Sequence, residues 1–150
     1  MTLTIAQESP LTPDAAMLLS GSEDALREAY DITECSSYDA AQLDHERVQF
    51  FVARLSGKPV GCVALCVEDG FAEIKRLFTL PEARGHGVAK ALVAHLEGAA
   101  RANGQPRILL ESGAKLAAAV GLYEALGYVR RGPFADYAQG DTTVFMEKAL

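Results

Sequence analysis

The residues with the clearest chemical potential lie at 75–92, where two glycines stand between a strand-like segment and a helix-like segment. Gly85 and Gly87 follow Pro81, and apolar residues at helical spacing begin at Val88. A strand that turns through glycines into a helix leaves the first backbone N–H groups of that helix without partners, which makes an anion-binding site. A side chain at either glycine would forbid a positive φ or hold a ligand away from the amides. The stretch therefore predicts a phosphate-binding loop.

The spacing of these glycines decides among the known kinds of phosphate loop. The nucleoside-triphosphate pattern G-x-x-x-x-G-K-S/T is absent, and the dinucleotide pattern G-x-G-x-x-G fails because Lys90 occupies the position of the third glycine. The sequence R-G-H-G-V-A instead fits the pattern R/Q-x-x-G-x-G/A through Arg84, Gly87 and Ala89. In this it resembles the loop with which the GNAT superfamily of acyl-CoA-dependent N-acetyltransferases grips the pyrophosphate of coenzyme A. On this pattern alone, an ordinary strand–loop–helix connection remains the alternative.

Length and composition predict one domain and limit its partners. The 150 residues, of which 49% are hydrophobic and 23% are charged, suit a single globular domain over residues 1–150. The net charge of -6 argues against nucleic acid as a partner. The chain has no run of 18 apolar residues, and its first residues lack the basic and apolar regions of a signal peptide. We therefore expect no membrane segment and a cytoplasmic location.

The charge is unevenly distributed along the chain. Residues 1–47 hold ten acidic residues against Arg27 and Arg47, a local charge of -8. Residues 75–90 hold four basic residues against Glu82, a local charge of +3. The basic segment suits a polyphosphate ligand. The acidic segment predicts a field that attracts a cationic substrate, with a merely solvated face as the alternative.

The cysteines and histidines show no metal-binding or disulfide pattern. Cys35, Cys62 and Cys66 lack C-x-x-C spacing, and on one strand Cys62 and Cys66 would lie roughly 13 Å apart, too far for a disulfide. We expect buried thiols. The three histidines share no ligand spacing, so no metal site is predicted, and His95 is expected to be a packed side chain; the histidines are His45, His86 and His95.

The hydrophobic pattern predicts an alternation of strands and helices. Short turns join three strands in residues 48–80, which must therefore be antiparallel, whereas a helix separates strands 71–80 and 107–112, which should be parallel. Residues 31–44 are expected to be a loop or partly helical. The predicted strands are 3–6, 48–55, 60–67, 71–80, 107–112, 128–131 and 142–148, and the predicted helices are 9–20, 22–30 (with Ser22 as its N-cap), 88–103 and 115–126.

A second motif covers residues 119–128 and resembles the A-x-x-L-Y-x-x-x-G-F/Y signature of GNAT members. Two signatures in this order of elements extend the resemblance over about 2–150, most specifically 71–128. The resemblance implies an α+β GNAT fold with a mixed central sheet of about seven strands, mainly antiparallel with a parallel pair at strands 4 and 5, flanked by helices. One departure is Leu116, where many members have an asparagine that contacts the cofactor.

The resemblance also implies a reaction. A primary amine of a small molecule or protein would attack the thioester of acetyl-CoA directly, without a covalent enzyme intermediate and without a metal. Tyr123 matches the tyrosine that protonates the coenzyme A sulfur, with a core tyrosine as the alternative. Glu73 is the first choice for the general base and Glu111 the second, with a water chain as the alternative. Two other classes stay open: a non-catalytic acyl-CoA-binding domain and an unrelated anion-binding α+β domain.

The resemblance further implies where both substrates bind. The pantetheine arm of acetyl-CoA would pair with the edge of strand 4, and the region of Ser112 would line the other lip of the cleft. The amine acceptor would meet residues 20–47 and 132–140, and the acidic half of the chain predicts that it is cationic. A homodimer is compatible with the family. The implied cofactor contacts are Leu77, Phe78, Thr79, Arg84, Gly85, His86, Gly87, Val88, Ala89 and Ser112.

Overall fold

The computed structural model describes residues 2–30, 40–135, 137 and 143–150. The strands are β1 (Leu3–Gln7), β2 (Val48–Leu55), β3 (Lys58–Glu68), β4 (Phe71–Thr79), β5 (Arg107–Gly113), β6 (Val129–Arg131) and β7 (Thr143–Ala149). The helices are α1 (Pro13–Tyr30), α2 (Ala40–Leu43), α3 (Val88–Ala102) and α4 (Ala117–Ala125), with a short 3-10 turn at Pro81–Ala83.

One seven-stranded sheet organises these elements, in the order β1-β2-β3-β4-β5-β7-β6. The pair β4–β5 is parallel and the other pairs are antiparallel, which confirms the predicted fold class and the predicted parallel pair. The pairing of β4 with β5 is short, because only residues 72–74 are in register with residues 108–110. Beyond these residues the two strands no longer pair with each other, so the sheet opens at their carboxyl ends.

A bulge in β4 lies at this opening. Between the pairs Ala64–Lys75 and Cys62–Phe78, β4 advances three residues while β3 advances two. Arg76 has a φ of 59°, a conformation that non-glycine residues seldom adopt. An extra residue of this kind leaves backbone groups outside the ladder and changes the face on which later side chains lie. The bulge therefore takes backbone groups of β4 out of the ladder with β3 beside the gap, and the Arg76 carbonyl there accepts from Cys62 Sγ at 3.4 Å.

The two faces of the sheet carry separate cores. On one face, α3 and α4 pack through Leu92, Leu96 and Tyr123 against the inner strands. On the other face, α1 packs through Leu18 and Leu19 against β2, β3 and β4. A smaller apolar group on this second face joins β5 and β7 to Phe134. The gap between β4 and β5 is thus bordered by different elements on its two faces.

The prediction of two helices in residues 9–30, with Ser22 as an N-cap, is wrong. A single helix of 18 residues runs through Gly21. A Cβ atom at Gly21 would lie 2.8 Å from the ring of Phe78, so this glycine permits close packing of α1 on β4 rather than ending a helix. The Ser22 hydroxyl accepts a bond of 3.4 Å from Arg76 Nη1. A glycine and a serine that suggest a helix boundary in sequence here serve a helix–strand contact.

Most other predicted boundaries agree with the structure to within two residues. The predicted hairpin turn between β2 and β3 is confirmed, with positive φ at Ser56 and Gly57. Cys62 and Cys66 are buried free thiols, as predicted, and burial raises the pKa of each to about 12. Cys35, residues 31–39 and part of the 132–140 loop lie outside the described residues. No helix among the described residues is long and apolar enough to span a membrane.

Candidate active site

A cleft of about 1230 Å³ opens where β4 and β5 separate. This exceeds the roughly 300–1,000 Å³ of a typical small-molecule site, so the cleft has room for more than one substrate. His86 does not line it, although it belongs to the exposed loop before α3. The other predicted site residues line the cleft: Glu73, Leu77, Phe78, Thr79, Arg84, Gly85, Gly87, Val88, Ala89, Glu111, Ser112 and Tyr123.

The amino end of α3 forms one end of the cleft. Gly87 is the N-cap residue, with φ 74° and no side-chain capping hydrogen bond, and Gly85 has φ 86°. A Cβ atom at either glycine would meet nothing within 4 Å, so the turn faces open space. Arg84 and Lys90 add positive charge. Exposed first-turn N–H groups beside cations suit the pyrophosphate of an acyl-CoA.

The middle of the cleft is bordered by the bulged end of β4. The side chain of Arg76 is only 4% exposed and is held by Glu23 on α1 at 2.9 Å, whereas the residue as a whole is partly exposed. The exposed part of Arg76 is therefore its backbone. Thr79 Oγ1 is buried and has no hydrogen-bond partner among the described residues. This edge thus offers backbone groups to an extended ligand, which fits a pantetheine arm.

Tyr123 approaches the gap from the α4 side. Its side chain is 5% exposed, lines the cleft and packs edge-on against Tyr128, with ring centroids 5.5 Å apart. Burial raises the pKa of Tyr123, so the phenol keeps its proton at neutral pH. The tyrosine is therefore both a core residue and a cleft residue, and the two interpretations of it from sequence do not exclude each other.

A hydrogen-bonded group of three side chains borders the cleft on the opposite face; we call Glu73, Lys75 and Tyr137 the cleft triad. The Tyr137 hydroxyl donates to Glu73 Oε2 at 2.7 Å and accepts from Lys75 Nζ at 2.6 Å. Lys75 Nζ also lies 3.0 Å from Glu73 Oε2. Glu73 is 4% exposed. The carboxylate predicted as the general base therefore lies in a buried network and not in solvent.

The surroundings of Tyr137 and Lys75 explain their protonation. Burial and the hydrogen bond to Glu73 raise the pKa of Tyr137. Burial would lower the pKa of Lys75, but the hydrogen bond with Tyr137 and the charge of Glu73 raise it instead. The triad therefore contains a neutral phenol and a charged ammonium group at neutral pH. The ring of Tyr137 packs against Phe134 and Phe145, at centroid distances of 5.1 and 5.8 Å.

Sequence reasoning missed Tyr137. It lies in the 132–140 loop, 64 positions from Glu73 along the chain, and no spacing rule connects the two. The available signal was a tyrosine beside aromatic residues in a loop expected to meet the acceptor. Contacts distant in sequence bring Tyr137 to Glu73 and Lys75 of β4.

Glu111 lies beside the cleft triad, on β5 just past the last residue paired with β4. Partial desolvation raises the pKa of its carboxyl group; the charge of Lys75 opposes this shift and the charge of Glu73 adds to it. Such a carboxylate accepts a proton more readily than an ordinary glutamate. Because Glu111 follows Leu109 by two residues on the strand, it shares the face on which Leu109 packs with Phe134.

A second group with the same residue types lies away from the cleft; we call Glu97, Tyr128 and Lys148 the interior triad. The Tyr128 hydroxyl donates to Glu97 Oε2 at 2.9 Å, and Lys148 Nζ lies 3.1 Å from Glu97 Oε1. None of the three lines the cleft. Among the described residues, no group of three or more His, Cys, Asp or Glu side chains could hold a metal ion.

Comparisons with known proteins agree with this geometry. Residues 17–128 match the Acetyltransferase (GNAT) family. The chain is 37% identical to an IAA acetyltransferase of Azospirillum brasilense, over 99% of this chain and 98% of the relative. The crystal structure of a Klebsiella pneumoniae protein assigned as an acyl-CoA N-acyltransferase has a TM-score of 0.83 and 32% identity, over 99% of this chain and 98% of that one.

A more distant neighbour shows the same fold. A Thermoplasma acidophilum N-acetyltransferase, solved in complex with coenzyme A, has a TM-score of 0.79 and 17% identity, and the match covers 100% of both chains. The family match and the full-length relative show that the chain belongs to the acetyltransferase (GNAT) family. The chain is an N-acetyltransferase of this family, whose acyl donor is acetyl-CoA, and the predicted family, fold and enzyme class are confirmed.

Proposed function

We propose that the protein acetylates a primary amine that is cationic before it reacts, by direct attack on acetyl-CoA inside the cleft. The observation that carries this proposal is the placement of a proton donor and a proton acceptor on opposite faces of the β4–β5 gap. Tyr123 belongs to the core on the α3–α4 side, whereas Glu111 and the cleft triad belong to the other side. Attack and departure at a carbonyl carbon need these two groups on either side of it.

The donor end of the cleft fits acetyl-CoA. The exposed turn before α3 would hold the pyrophosphate, and Leu77, Phe78 and Thr79 would flank the pantetheine arm, with Ser112 on the opposite lip. When bound, acetyl-CoA supplies a thioester, a carbonyl group activated toward amines. The exposed backbone of the bulge at Arg76 supports a hydrogen bond to the acyl group.

The charge at the acceptor end supports a cationic amine, for a different reason from the one that the sequence suggests. Among the acids of residues 1–47, Glu8 and Asp14 are paired with Arg54, and Glu23 is paired with Arg76. Their charges are therefore largely neutralised. The cleft has its own acids in Glu68, Glu73 and Glu111. Two of the cations that line it, Arg84 and Lys90, lie at the end near α3; the others are Lys75, Arg76 and Lys115. Lys75 and Arg76 are each bound to a glutamate, Glu73 and Glu23.

We assign the proton transfers as follows. Glu111 takes one proton from the bound ammonium group and passes it to solvent, and the neutral amine adds to the thioester carbonyl. As the C–S bond breaks, Tyr123 donates its proton to the departing sulfur, and the second proton that the nitrogen loses as the amide forms returns through solvent to Tyr123. Glu73, the first choice from sequence, is less suited as the base because its Oε2 atom already accepts bonds from Tyr137 and Lys75. It is better suited to hold the ammonium group.

The test is a thiol-release assay with acetyl-CoA and a panel of amines of differing charge, together with calorimetry of acetyl-CoA binding. We expect release with polyamine, basic antibiotic or peptide amines, and little with amines that carry a net negative charge. Tight binding of acetyl-CoA without release from any amine would replace the proposal with a non-catalytic acyl-CoA-binding role. Efficient use of anionic amines would overturn the acceptor class.

The loop assignment has a matched control within the same calorimetry. Gly87→Val should weaken acetyl-CoA binding by about tenfold or more, because a side chain there blocks several amides at once. Gly57 has a φ of 86° in the β2–β3 turn and faces open space, so Gly57→Val imposes a similar backbone strain far from the cleft. Equal affinities of the two variants for acetyl-CoA would show that this loop does not bind the pyrophosphate.

A further inference from the structure

We infer that Tyr137 is a positioning residue for the acceptor amine: its hydroxyl holds the carboxylate of Glu73 in one orientation so that the second oxygen of Glu73 receives the acceptor's ammonium group. This inference rests on the proposed transfer to a cationic amine and adds a residue that the family match does not assign. It adds Tyr137 to the acceptor site.

The geometry of the hydroxyl carries the first step. A phenol has one proton to donate, and Tyr137 gives it to Glu73 Oε2 while it accepts from Lys75 Nζ. Oε2 also receives Lys75 directly, at 3.0 Å. Two charged or polar donors on one oxygen fix the plane of the carboxylate and leave Oε1 for another partner.

The rigidity of the tyrosine carries the second step. Its ring lies between Phe134 and Phe145, and Phe134 in turn packs edge-on against Phe71 at 5.7 Å. Lys75 Nζ lies 5.4 Å from the ring centroid. A side chain clamped by several aromatic rings loses little entropy when it forms a hydrogen bond, so it can set the position of a more flexible carboxylate.

The position of the cleft triad carries the third step. Glu73, Lys75 and Tyr137 all line the cleft, next to Glu111 on the same face of the sheet. An ammonium group held by Glu73 therefore lies close to the carboxylate that we assign as its base. If Tyr137 lost its hydroxyl, Glu73 would keep only Lys75, and its orientation would no longer be fixed by two partners.

A purely structural role, in which Tyr137 only fastens its loop to β4, makes different predictions. A structural tyrosine would lower stability and affect kcat, the acceptor KM and acetyl-CoA binding alike. A positioning tyrosine acts through Glu73 on the acceptor alone, so its loss should raise the acceptor KM selectively, and removing Glu73 should remove this effect. The comparison of the acceptor KM with kcat separates the two cases, and a double-mutant cycle tests the dependence on Glu73.

The experiment compares wild type, Tyr137→Phe, Glu73→Gln and the double variant with the best amine of the panel. We expect Tyr137→Phe to raise the acceptor KM by about tenfold, with kcat changed less and acetyl-CoA binding unchanged, since one charge-assisted hydrogen bond is lost. In the Glu73→Gln background, the same change should alter the acceptor KM by less than about twofold. Tyr128→Phe, which removes the matching bond of the interior triad, should leave the acceptor KM unchanged.

Each other outcome counts against the inference. An equal loss from Tyr137→Phe in both backgrounds would show that the tyrosine does not act through Glu73, and an unchanged acceptor KM would show no role for the hydroxyl. Calorimetric binding of the amine to the four proteins in the presence of coenzyme A gives a readout that does not need turnover. Amine binding without thiol release would contradict the proposed transfer, but the double-mutant cycle could still be measured from the binding constants. No amine binding by wild type would contradict the inference itself.

Discussion

The cleft triad and the interior triad contain the same three residue types at similar distances. The tyrosine-to-glutamate distances are 2.7 and 2.9 Å, and the lysine-to-glutamate distances are 3.0 and 3.1 Å. Even the lysine-to-ring distances agree, at 5.4 and 5.6 Å. The lysines bond differently, because Lys75 Nζ donates to the Tyr137 hydroxyl and to Glu73 Oε2, whereas Lys148 Nζ donates to both carboxylate oxygens of Glu97. Residue types and pair distances alone therefore do not distinguish a functional network from a structural one.

The two triads also differ in their access to the cleft. The cleft triad lines an opening wide enough for substrates and has another carboxylate, Glu111, beside it. The interior triad joins α3, the start of β6 and β7, and does not line the cleft. The comparison teaches that a buried ionic network acquires a chemical role from the cavity next to it. It also predicts that matched substitutions in the two triads separate activity from stability.

The largest effect on turnover should come from removing the carboxylate of Glu111, which lies beside the cleft triad. Glu111→Gln should lower turnover by about 10²–10⁴-fold, the range for loss of a general base. A base must be deprotonated to act, and the pKa of Glu111 is raised. Wild-type kcat/KM should therefore fall as the pH drops through this raised pKa, at a higher pH than an ordinary glutamate would give.

The pH profile supplies the control for Glu111. The acidic limb should disappear from the residual activity of Glu111→Gln and should persist in Glu147→Gln, which changes an acid on the neighbouring strand β7 outside the cleft. If Glu111→Gln turns over as fast as wild type, then Glu73 or a water molecule acts as the general base instead. An acidic limb that persists in Glu111→Gln would assign this titration to another group.

The next effect compares two tyrosines whose rings touch. Tyr123→Phe should lower turnover by about 10²-fold, with acetyl-CoA binding nearly unchanged, because the phenol acts on a charge that develops only as the C–S bond breaks. We expect the lower end of the usual range because a thiolate leaves without full protonation. Tyr128→Phe keeps the ring that packs on Tyr123 and should leave turnover within about twofold. Equal rates for both variants, when chemistry limits turnover, would make Tyr123 a core residue only.

The sequence was sufficient for the fold and for the turn that precedes α3 at one end of the cleft. Glycine spacing at Gly85 and Gly87, and the apolar pattern of α3, are local features, so a six-residue motif predicted a turn that the structure shows with positive φ. The parallel pair followed from the helix between the two strands. These features depend on neighbours in sequence, which is why periodicity and motif could find them.

The acceptor end depends on contacts between distant residues, and there the sequence was insufficient. The bulge at Arg76 is stabilised by Glu23, 53 positions away, and Tyr137 reaches Glu73 across 64 positions. Gly21 suggested a helix boundary because nothing in its neighbourhood reveals the ring of Phe78. The acids of residues 1–47 suggested a cationic acceptor, but Glu8, Asp14 and Glu23 have arginine partners that are distant in sequence. A local pattern gives the charge of a side chain but not the partner that neutralises it.

A smaller effect concerns stability, for which the interior triad should matter more than the cleft triad. Glu97→Gln should lower the free energy of unfolding by about 1–3 kcal/mol, because Lys148 and Tyr128 would lose their charged partner inside the fold. For a chain of this size that shift corresponds to a melting temperature lower by about 2–4 °C per kcal/mol. Glu73→Gln should cost less, since it also relieves the repulsion between Glu73 and Glu111.

Denaturant unfolding of the two variants and of wild type measures this difference in stability. In the acceptor assay we expect the opposite order, with Glu73→Gln more impaired than Glu97→Gln. Glu97→Gln should retain wild-type activity per folded molecule, whereas Glu73→Gln should lose acceptor affinity. If Glu73→Gln is the less stable variant and retains its acceptor KM, then the cleft triad is a structural network and the distinction between the two triads is wrong.

The smallest effect is the dependence on salt. The acceptor site borders open solvent, so the attraction between its carboxylates and a cationic amine is partly screened, and the Debye length falls from about 10 Å at 0.1 M to roughly 4 Å at 0.5 M salt. Over this range kcat/KM for the best cationic acceptor should fall roughly threefold, while kcat at saturating amine changes little. In the interior triad Lys148 Nζ and Glu97 Oε1 are in direct contact at 3.1 Å, a distance shorter than the Debye length at either salt concentration, so the stability difference between wild type and Glu97→Gln should change little over the same range. A neutral amine from the panel, assayed alongside, controls for effects of salt on acetyl-CoA binding. A best acceptor with net negative charge, used equally well at both salt concentrations, would show that the acids of the cleft do not select the acceptor.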